Sequence, residues 1–243
     1  MQIIKLDAID STNLYLKNLM SSLQARDYTV VVANTQTKGR GQMGTIWDSE
    51  SGKNLTFSVL KLLKTFEVKH QFLLNIATSL AVYTTLNDMQ IPDLKIKWPN
   101  DILSGNNKIC GILIENILSG TKIQASVIGI GLNINQIEFN NLVNVSSLKL
   151  LTGIHYNLDE VLLNFMKNLE HMFETILTGK ELELKQLYLK VLFRKDKVST
   201  FKNDADQMFT GIIRNVNDNG KLLVEKEDEI FQEFDLKEIK LLY

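Results

Sequence analysis

Apolar positions over the first 193 residues recur with either a two-residue or a helical period. The two-residue period and short β-branched runs predict strands at 3–9, 29–34, 54–60, 94–97, 108–117 and 122–135. The helical period predicts a helix capped by Asp10-Ser11-Thr12 and further helices at 68–89, 158–176 and 181–193. The strands form hairpin-like groups rather than strict βαβ units, which indicates an α+β domain with a mixed or antiparallel sheet.

The pattern changes after Arg194. Short alternating runs predict strands at 197–201, 208–216, 221–225 and 230–235, and the polar segment 217–220 predicts a hairpin turn. We therefore predict two domains, a main domain at 1–193 and a small SH3-like β-barrel at 194–243.

Composition narrows the class of protein. The chain has 243 residues, of which 44% are hydrophobic, and a net charge of −1, which argues against a surface built mainly for DNA or RNA. Its single cysteine, Cys110, forms no internal disulfide and fits a reducing compartment. One Cys and three scattered His offer no metal-site spacing. With neither a signal peptide nor an apolar run of membrane-spanning length, we expect a cytoplasmic protein.

The polar segment 35–51 predicts a long loop and contains Gly39-Arg40-Gly41-Gln42-Met43-Gly44. This sequence matches the dinucleotide-binding motif G-x-G-x-x-G, but no helical pattern follows the third glycine. It is not a phosphate-binding P-loop either, because no Gly-Lys-Ser/Thr follows. The segment therefore indicates a flexible loop whose backbone N–H groups and two cations, Lys38 and Arg40, face an anion. An ordinary surface loop is the alternative.

A second group of polar residues follows the strand at 94–97. Lys97-Trp98-Pro99-Asn100-Asp101 precedes a turn at 104–107, so a hairpin here would bring Asp101 near Lys108. A surface salt bridge, with Trp98 in the core, is the alternative. Gly111, and Gly129-Ile130-Gly131 with the amide of Asn133, interrupt apolar strands where another molecule could approach the backbone.

Together these blocks resemble the biotin protein ligases. The matching blocks, in chain order, are Asp10-Ser11-Thr12-Asn13, Gln36 to Gly44 with Trp47, Lys97 to Asp101, Lys108 to Glu115, and Gly129 to Asn135. The resemblance implies a class II synthetase-like catalytic domain at 1–193 with a mixed sheet and flanking helices. It also implies formation of biotinyl-5′-AMP from biotin and Mg·ATP, followed by transfer of biotin to a lysine of a biotin carboxyl-carrier protein.

The resemblance also implies roles for particular residues. Lys108, Arg40 and Asp101 are the expected catalytic residues. The expected biotin-binding residues are Ser11, Thr12, Asn13, Gln36, Gly39, Arg40, Gly41, Trp47, Lys108 and Gly111, and the expected nucleotide-binding residues are Arg40, Gly44, Trp47, Asn100, Asp101, Lys108 and Asn133. Asp101 either organises Mg²⁺ or accepts the proton of the incoming lysine. Helix capping by Ser11 and Thr12, and a core position for Trp47, are alternatives.

The chain departs from the family pattern in two places. It carries Gln42-Met43 where some members have a further basic residue, which leaves Lys38 and Arg40 as the cations of the loop. Because Asp10-Ser11-Thr12 lies near the start, we expect no DNA-binding domain and no repressor role. A monomer and a homodimer both remain open.

Two other functions compete with the ligase. A lipoate or octanoate transferase would not be expected to carry Lys-Trp-Pro-Asn-Asp together with the glycine loop. Lys108 and Asp101 argue against a biotin sensor without turnover, because binding a neutral ring would not call for both.

Overall fold

The structure is a computed structural model that describes residues 1–140 and 142–243. Its larger sheet has seven strands: β1 (Gln2–Ile9), β2 (Thr29–Gln36), β3 (Leu55–Glu67), β4 (Leu94–Lys97), β5 (Asp101–Ser104), β6 (Asn107–Ser119) and β7 (Lys122–Leu132). The α-helices are α1 (Thr12–Ser21), α2 (Phe72–Asp88), α3 (Leu148–Thr152), α4 (Leu158–Leu177) and α5 (Glu181–Val191). In the described part of the chain, no helix combines the length and apolar composition that crossing a membrane requires.

The larger sheet is mixed, as the sequence predicts. Its strand order is β1-β2-β3-β7-β6-β5-β4. β1 and β2 run parallel and are joined by α1, whereas the remaining neighbours are antiparallel. The long hairpin of β6 and β7 and its pairing with β3 form the centre of the sheet, so the residues that these three strands share on one face lie side by side.

One face of the sheet carries the main apolar core. Alternate residues of β3 and β7, such as Phe57, Val59, Ile128 and Ile130, are buried beneath α2, α4 and α5. Phe57 meets Phe165 of α4 edge-on, with ring centroids 5.3 Å apart. This arrangement follows from the sequence because α4 places an apolar residue on every turn of one side.

The opposite face is covered along only part of its length. Near one end, Val31, Leu60, Ala125 and Val127 pack under Leu16 of α1 in a second apolar cluster. Farther along the same face, the apolar side chains give way to small and polar residues. Because side chains alternate between faces, the continuation from Val127 is Gly129 and Gly131, that from Leu60 is Ser58, and that from Ile117 includes Glu115 and Gly111. The uncovered part of this face forms a slot.

The second sheet lies in the C-terminal part of the chain. Its strands β8 (Val198–Asn203), β9 (Met208–Val216), β10 (Leu222–Glu225), β11 (Phe231–Phe234) and β12 (Ile239–Leu242) pair antiparallel in the order β11-β10-β9-β8-β12. Since this order has two edge strands, the structure supports an antiparallel sheet, and the closed SH3-like barrel stays a prediction. Buried residues of this sheet, including Phe201 and Ile213, belong to the same apolar cluster as the main core.

Some elements differ from the predictions made from the sequence. β5 has only four residues, β12 follows the last predicted strand, and α3 is a helix of five residues capped by the hydroxyl of Ser147. Each is too short for an apolar period to be distinguished from a loop. The segment 35–51 is also less open than expected, because it contains a 3₁₀ turn at Gln42–Gly44.

The two sheets are joined at Trp98. Its indole N–H donates to the carbonyl of Gly220, in the turn between β9 and β10, at 2.8 Å. Gly220 has φ +86° and lies so close to Phe72 that an added Cβ would be 2.5 Å from a ring carbon. The turn therefore fits between α2 and the segment after β4 that carries Trp98, so a side chain at position 220 would push the two sheets apart.

Trp98→Phe should lower the free energy of unfolding by about 1 kcal/mol, because it removes the hydrogen bond to Gly220 and keeps an aromatic ring. Denaturant unfolding measures this difference. Trp47→Phe is the matched control, since the indole N–H of Trp47 has no hydrogen-bond partner among the described residues. Equal losses in the two variants would show that the bond to Gly220 contributes nothing.

Candidate active site

The uncovered face of the larger sheet is the floor of a cavity of about 1050 Å³. Most of the residues singled out from the sequence line this cavity: Ser11, Thr12, Asn13, Gln36, Arg40, Gly41, Trp47, Asn100, Asp101, Lys108, Gly111 and Asn133. Gly39 and Gly44 do not line it. Gly39 lets the backbone of Trp47 pass, since an added Cβ would lie 2.2 Å from its carbonyl oxygen, and Gly44 turns the chain at φ +78°.

A polar cluster closes one end of the slot, at the start of α1. The hydroxyl of Ser11 caps the helix by accepting from the N–H of Leu14 at 3.5 Å. The backbone N–H of Thr12 donates to Oε1 of Gln36 at 2.8 Å, and the Thr12 hydroxyl lies 3.0 Å from the same oxygen. The first turn of α1 therefore holds hydrogen-bonding groups in fixed positions above Gly111, Gly129 and Gly131, which form the glycine floor of the slot.

The cluster continues below Thr12 into the sheet. The hydroxyl of Ser58, which is fully buried, lies 2.7 Å from Oγ1 of Thr12 and 2.6 Å from Oδ1 of Asn13. Asn13 Nδ2 donates to Oε2 of Glu115 at 2.7 Å, and Lys17 Nζ pairs with Oε1 of Glu115 at 2.5 Å. Gly129 provides the space for Asn13, since an added Cβ would lie 2.4 Å from its Oδ1.

Glu115 is half-buried at the outer end of this cluster. Burial by itself raises the pKa of its carboxyl group. The hydrogen bonds from Lys17 and Asn13, with the positive charges of Lys17 and Arg40, outweigh burial and hold the pKa below its ordinary value. Glu115 is therefore a carboxylate at neutral pH, and it anchors the cluster with a fixed negative charge.

The glycine loop, residues 39–47, folds back on itself as a tight hairpin. The N–H of Trp47 donates to the carbonyl of Gly39 at 3.0 Å, and the N–H of Gly41 donates to the carbonyl of Thr45 at 2.7 Å. At its tip, Met43 adopts φ 57°. The loop extends over the slot, and the side chain of Arg40 is exposed.

Trp47 lies outside the main core, because its indole packs against the glycines on the floor of the slot. A Cβ on Gly131 would lie 2.2 Å from Cε2 of Trp47, and one on Gly111 would lie 3.0 Å from Cζ3. The indole Nε1 is buried without a hydrogen-bond partner in the described structure. The aromatic ring thus occupies the part of the slot that the two glycines keep free of side chains.

The other end of the slot is positively charged. Lys108 Nζ pairs with Oδ1 of Asp101 at 2.6 Å, so the proximity expected from the hairpin is observed. Lys97 Nζ lies 3.7 Å from Oδ2 of the same carboxylate and 4.9 Å from the ring centre of Tyr243. Two lysines share one carboxylate, so this end carries a net positive charge suited to anions.

Two asparagines fix the backbone around the charged end. Asn100, which follows the cis Trp98–Pro99 bond, donates from Nδ2 to the carbonyl of Ile112 at 2.7 Å. Asn133 donates from Nδ2 to the carbonyl of Ser146 at 3.1 Å, and its carboxamide oxygen accepts no hydrogen bond within the described structure. Both side chains line the cavity, and both already use their NH₂ groups to hold the backbone.

Sequence reasoning missed Ser58, Glu115 and Lys17, which belong to the polar cluster without lining the cavity, and it gave no role to Lys97 at the charged end. Ser58 lies within an apolar strand, and the signal that could have revealed it is a hydroxyl on the strand face that otherwise carries Leu60. Glu115 and Lys17 are distant in sequence, and only the packing of α1 across β2, β3 and β7 brings Lys17 within reach of Glu115 on β6. No group of three or more His, Cys, Asp or Glu side chains in the described residues is arranged to hold a metal ion.

A comparison with protein-family models assigns most of the candidate active-site region to one family. The model described as the biotin/lipoate A/B protein ligase family matches residues 6–133, more than half of the chain. The chain belongs to this family. Of the three similar proteins described next, two are named as biotin ligases and one as a ligase/repressor.

Two curated relatives and one solved structure illustrate the similarity. The chain is 33% identical over 130 residues to the bifunctional ligase/repressor BirA of Bacillus subtilis, covering 54% of this chain and 39% of that protein. It is 35% identical over 127 residues to the biotin–[acetyl-CoA-carboxylase] ligase of Paracoccus denitrificans, covering 51% of each. The chain thus spans about half or less of these relatives.

The solved structure of biotin protein ligase from Aquifex aeolicus in complex with biotin and ATP matches with a TM-score of 0.83 and 27% identity. That match covers 99% of this chain and 98% of the other. It includes both sheets, so the fold similarity extends beyond the residues that the family model matches.

Proposed function

We propose that this protein is an ATP-dependent ligase that activates biotin as biotinyl-5′-AMP and transfers it to a lysine of a biotin carboxyl-carrier protein. One observation carries the proposal. A single slot joins a neutral hydrogen-bonding end, at Thr12 and Gln36, to a positively charged end, at Lys108 and Lys97. Biotin has the same polarity, with a neutral ureido ring at one end and a carboxylate at the other.

The proposed reaction has two steps. A carboxylate oxygen of biotin attacks the α-phosphorus of ATP, and the bond from that phosphorus to the leaving pyrophosphate breaks. The ε-amino group of a carrier lysine then attacks the acyl carbon, loses a proton, and releases AMP. Two anions must meet in the first step, so preorganised cations at the charged end lower its barrier, and one such donor is typically worth about 3–4 kcal/mol.

Biotin is proposed to lie along the glycine floor. Thr12 and Gln36 contact the ureido ring, Ser11 and Asn13 support them, and Gly111 leaves room for the bicyclic ring. In this structure Trp47 lies against Gly111 and Gly131. Its indole must therefore move aside when biotin enters, and it then forms one side of the biotin slot. Gly39 and Gly41 allow the loop to make this movement.

The nucleotide is proposed to bind at the charged end. Lys108 and Arg40 contact the carboxylate and the α-phosphate, and the free carboxamide oxygen of Asn133 accepts from the adenine amino group. Asn100 and Gly44 shape the backbone around the phosphates. Mg²⁺ would enter with ATP as part of the substrate, since it usually keeps phosphate oxygens and water and takes one or two protein carboxylates. Asp101 is the carboxylate that fits this role.

The C-terminal residues 194–243 are proposed to form the small SH3-like domain beside the catalytic domain at 1–193. Their second sheet, with Tyr243 beside Lys97, borders the same cavity. The carrier domain of a biotin-dependent carboxylase is the proposed partner, by analogy with the Paracoccus relative named for acetyl-CoA carboxylase. Cytoplasmic location stays a prediction, and a monomer and a homodimer are equally compatible with the proposed function.

The test has a binding arm and a transfer arm. Calorimetric titration should show biotin binding tightly, and lipoate and octanoate binding at least about 100-fold more weakly, because they lack paired ureido groups. With ATP and Mg²⁺, an apo carrier domain should gain one biotin by mass spectrometry, and its Lys→Arg variant should gain none. Tighter binding of lipoate or octanoate would assign the chain to the lipoate side of the family.

Arg40→Ala should increase the rate at which biotinyl-5′-AMP leaves the enzyme by about tenfold or more, because Gln42-Met43 leaves few cations in the loop to hold it. Release of the activated biotin is measured as nonspecific biotinylation of added albumin. Lys38→Ala, which changes a cation that does not line the cavity, is the matched control. Unchanged release in the Arg40 variant would remove this residue from adenylate retention.

A further inference from the structure

The two lysines at the charged end of the slot contact Asp101 unequally. Lys108 Nζ lies 2.6 Å from Oδ1, whereas Lys97 Nζ lies 3.7 Å from Oδ2, which is too long for a hydrogen bond. One carboxylate neutralises one positive charge, and Lys108 is the nearer of the two cations. Lys97, whose side chain lines the cavity, is therefore the cation that stays available to a second anion.

The second sheet supplies the other contact of the Lys97 ammonium. Tyr243, next to the end of β12, also lines the cavity, and the centre of its ring lies 4.9 Å from Lys97 Nζ. A cation is attracted to the face of an aromatic ring when it lies within about 6 Å of the ring centre. This attraction occupies one side of the ammonium only, so N–H groups on its other sides can still donate to an oxygen.

The ring of Tyr243 is itself held against β4, the strand that ends at Lys97. It meets the ring of Phe193 edge-on, with centroids 5.1 Å apart. Phe193 is 7% exposed, and its backbone N–H donates to the carbonyl of Ile96 at 2.8 Å. The aromatic ring and the ammonium are therefore fixed to the same strand, which keeps them opposite each other.

We propose that Tyr243 is a positioning residue that holds the Lys97 ammonium ready for the β- and γ-phosphates of ATP. The proposal rests on the proposed function, in which Lys108 and Arg40 contact the α-phosphate. Lys97 approaches Asp101 from its other oxygen, so it is the cation available to the phosphates that leave as pyrophosphate. A lysine side chain loses rotamer freedom when it binds an anion, and Lys97 loses less because Tyr243 already restricts it.

Tyr243→Leu tests the role of the ring. We expect the dissociation constant for ATP to rise about three- to tenfold, as a partly exposed cation–π contact implies. Biotin affinity and kcat at saturating ATP should stay unchanged, because Lys97 still meets the phosphates once ATP is bound. Tyr243→Phe keeps the ring face and should bind ATP as the wild type does. AMP, which lacks the β- and γ-phosphates, should bind equally well to Tyr243→Leu and to the wild type.

The decisive experiment is a double-mutant cycle measured by calorimetric titration of ATP and of AMP. Biotin alcohol is present throughout, since it lacks the carboxylate and cannot be activated. Lys97→Met removes the cation and should weaken ATP binding more than Tyr243→Leu does, and Tyr243→Leu should have no further effect in that background. Lys226→Met is the matched control, because Lys226 lies 4.8 Å from the ring centre of Phe209, outside the cavity. That variant should bind ATP normally, and melting temperatures are recorded for all.

Wild-type ATP affinity in Tyr243→Leu, equal losses in the Leu and Phe variants, or effects that multiply in the double variant would overturn the proposal. An equal loss of AMP affinity would overturn it too, because the contact would then lie away from the β- and γ-phosphates. If Tyr243→Leu does not fold, Tyr243→Met takes its place, since a flexible methionine fills the space without a ring. A wild-type protein that binds ATP but releases no pyrophosphate with biotin would instead refute the proposed function and leave the ATP comparison intact.

Discussion

Lys108→Ala is expected to lower the rate of adenylate formation by about 100-fold or more while leaving the protein folded. Lys108 is the second residue of β6, at the charged end of the slot, where its ammonium lies 2.6 Å from Asp101. A surface salt bridge between these residues would contribute only about 0–1 kcal/mol to stability. Stability and catalysis therefore separate the two interpretations, because only a residue that stabilises the developing charge produces the large kinetic loss.

The measurement is pyrophosphate release at saturating biotin and ATP, with melting temperature recorded in parallel. Lys5→Ala is the matched control, since Lys5 also pairs with a carboxylate, Asp159, at 2.7 Å on an exposed surface. That variant should keep the wild-type rate. A near-normal rate in Lys108→Ala would return this lysine to the role of a salt-bridge partner.

Gly131→Ala should weaken biotin binding by at least about tenfold, and it should also cost stability because the Trp47 indole must shift to make room for the methyl group. The backbone of β7 is extended at this position, so alanine fits the strand itself. Its Cβ would, however, point into the slot, 2.2 Å from the present position of the Trp47 indole. The methyl group would occupy the floor on which the bicyclic ring is proposed to lie, and overpacking of this kind typically costs about 1–3 kcal/mol.

Ile128→Val is the matched control on the same strand. Ile128 is fully buried in the main core and does not line the cavity, so removing a methylene should cost about 0.5–1.5 kcal/mol of stability and leave biotin affinity unchanged. Chemical denaturation and biotin titration together compare the two variants. If Gly131→Ala bound biotin normally, the glycine floor would not be the binding surface.

The sequence predicts the two sheets and the long helices well because their apolar periods are long. Strands β3, β6 and β7 and helices α2 and α4 were all expected, and they build the core beneath Phe57 and Ile130. The two-residue period also indicates where the slot lies, since Gly129 and Gly131 are on the same face of β7 as Val127. A single sequence does not reveal that α1 stops short of covering this face.

The candidate site was predicted where local sequence carries the signal and missed where tertiary contacts create it. Lys108 and Asp101 were brought together by the expected hairpin. Ser58 and Glu115 became visible only when α1 placed Asn13 between them. The glycine loop was expected to be open, yet its glycines allow the close backbone pairing between Gly39 and Trp47.

The most direct test of the central claim is pyrophosphate release by the purified wild-type chain with ATP, Mg²⁺ and one acid at a time. Biotin should produce a burst of pyrophosphate equal to the enzyme concentration, because the adenylate stays bound until a carrier lysine arrives. Octanoate and lipoate should give only the background of ATP alone. Pyrophosphate release with either of those acids, and none with biotin, would contradict the account.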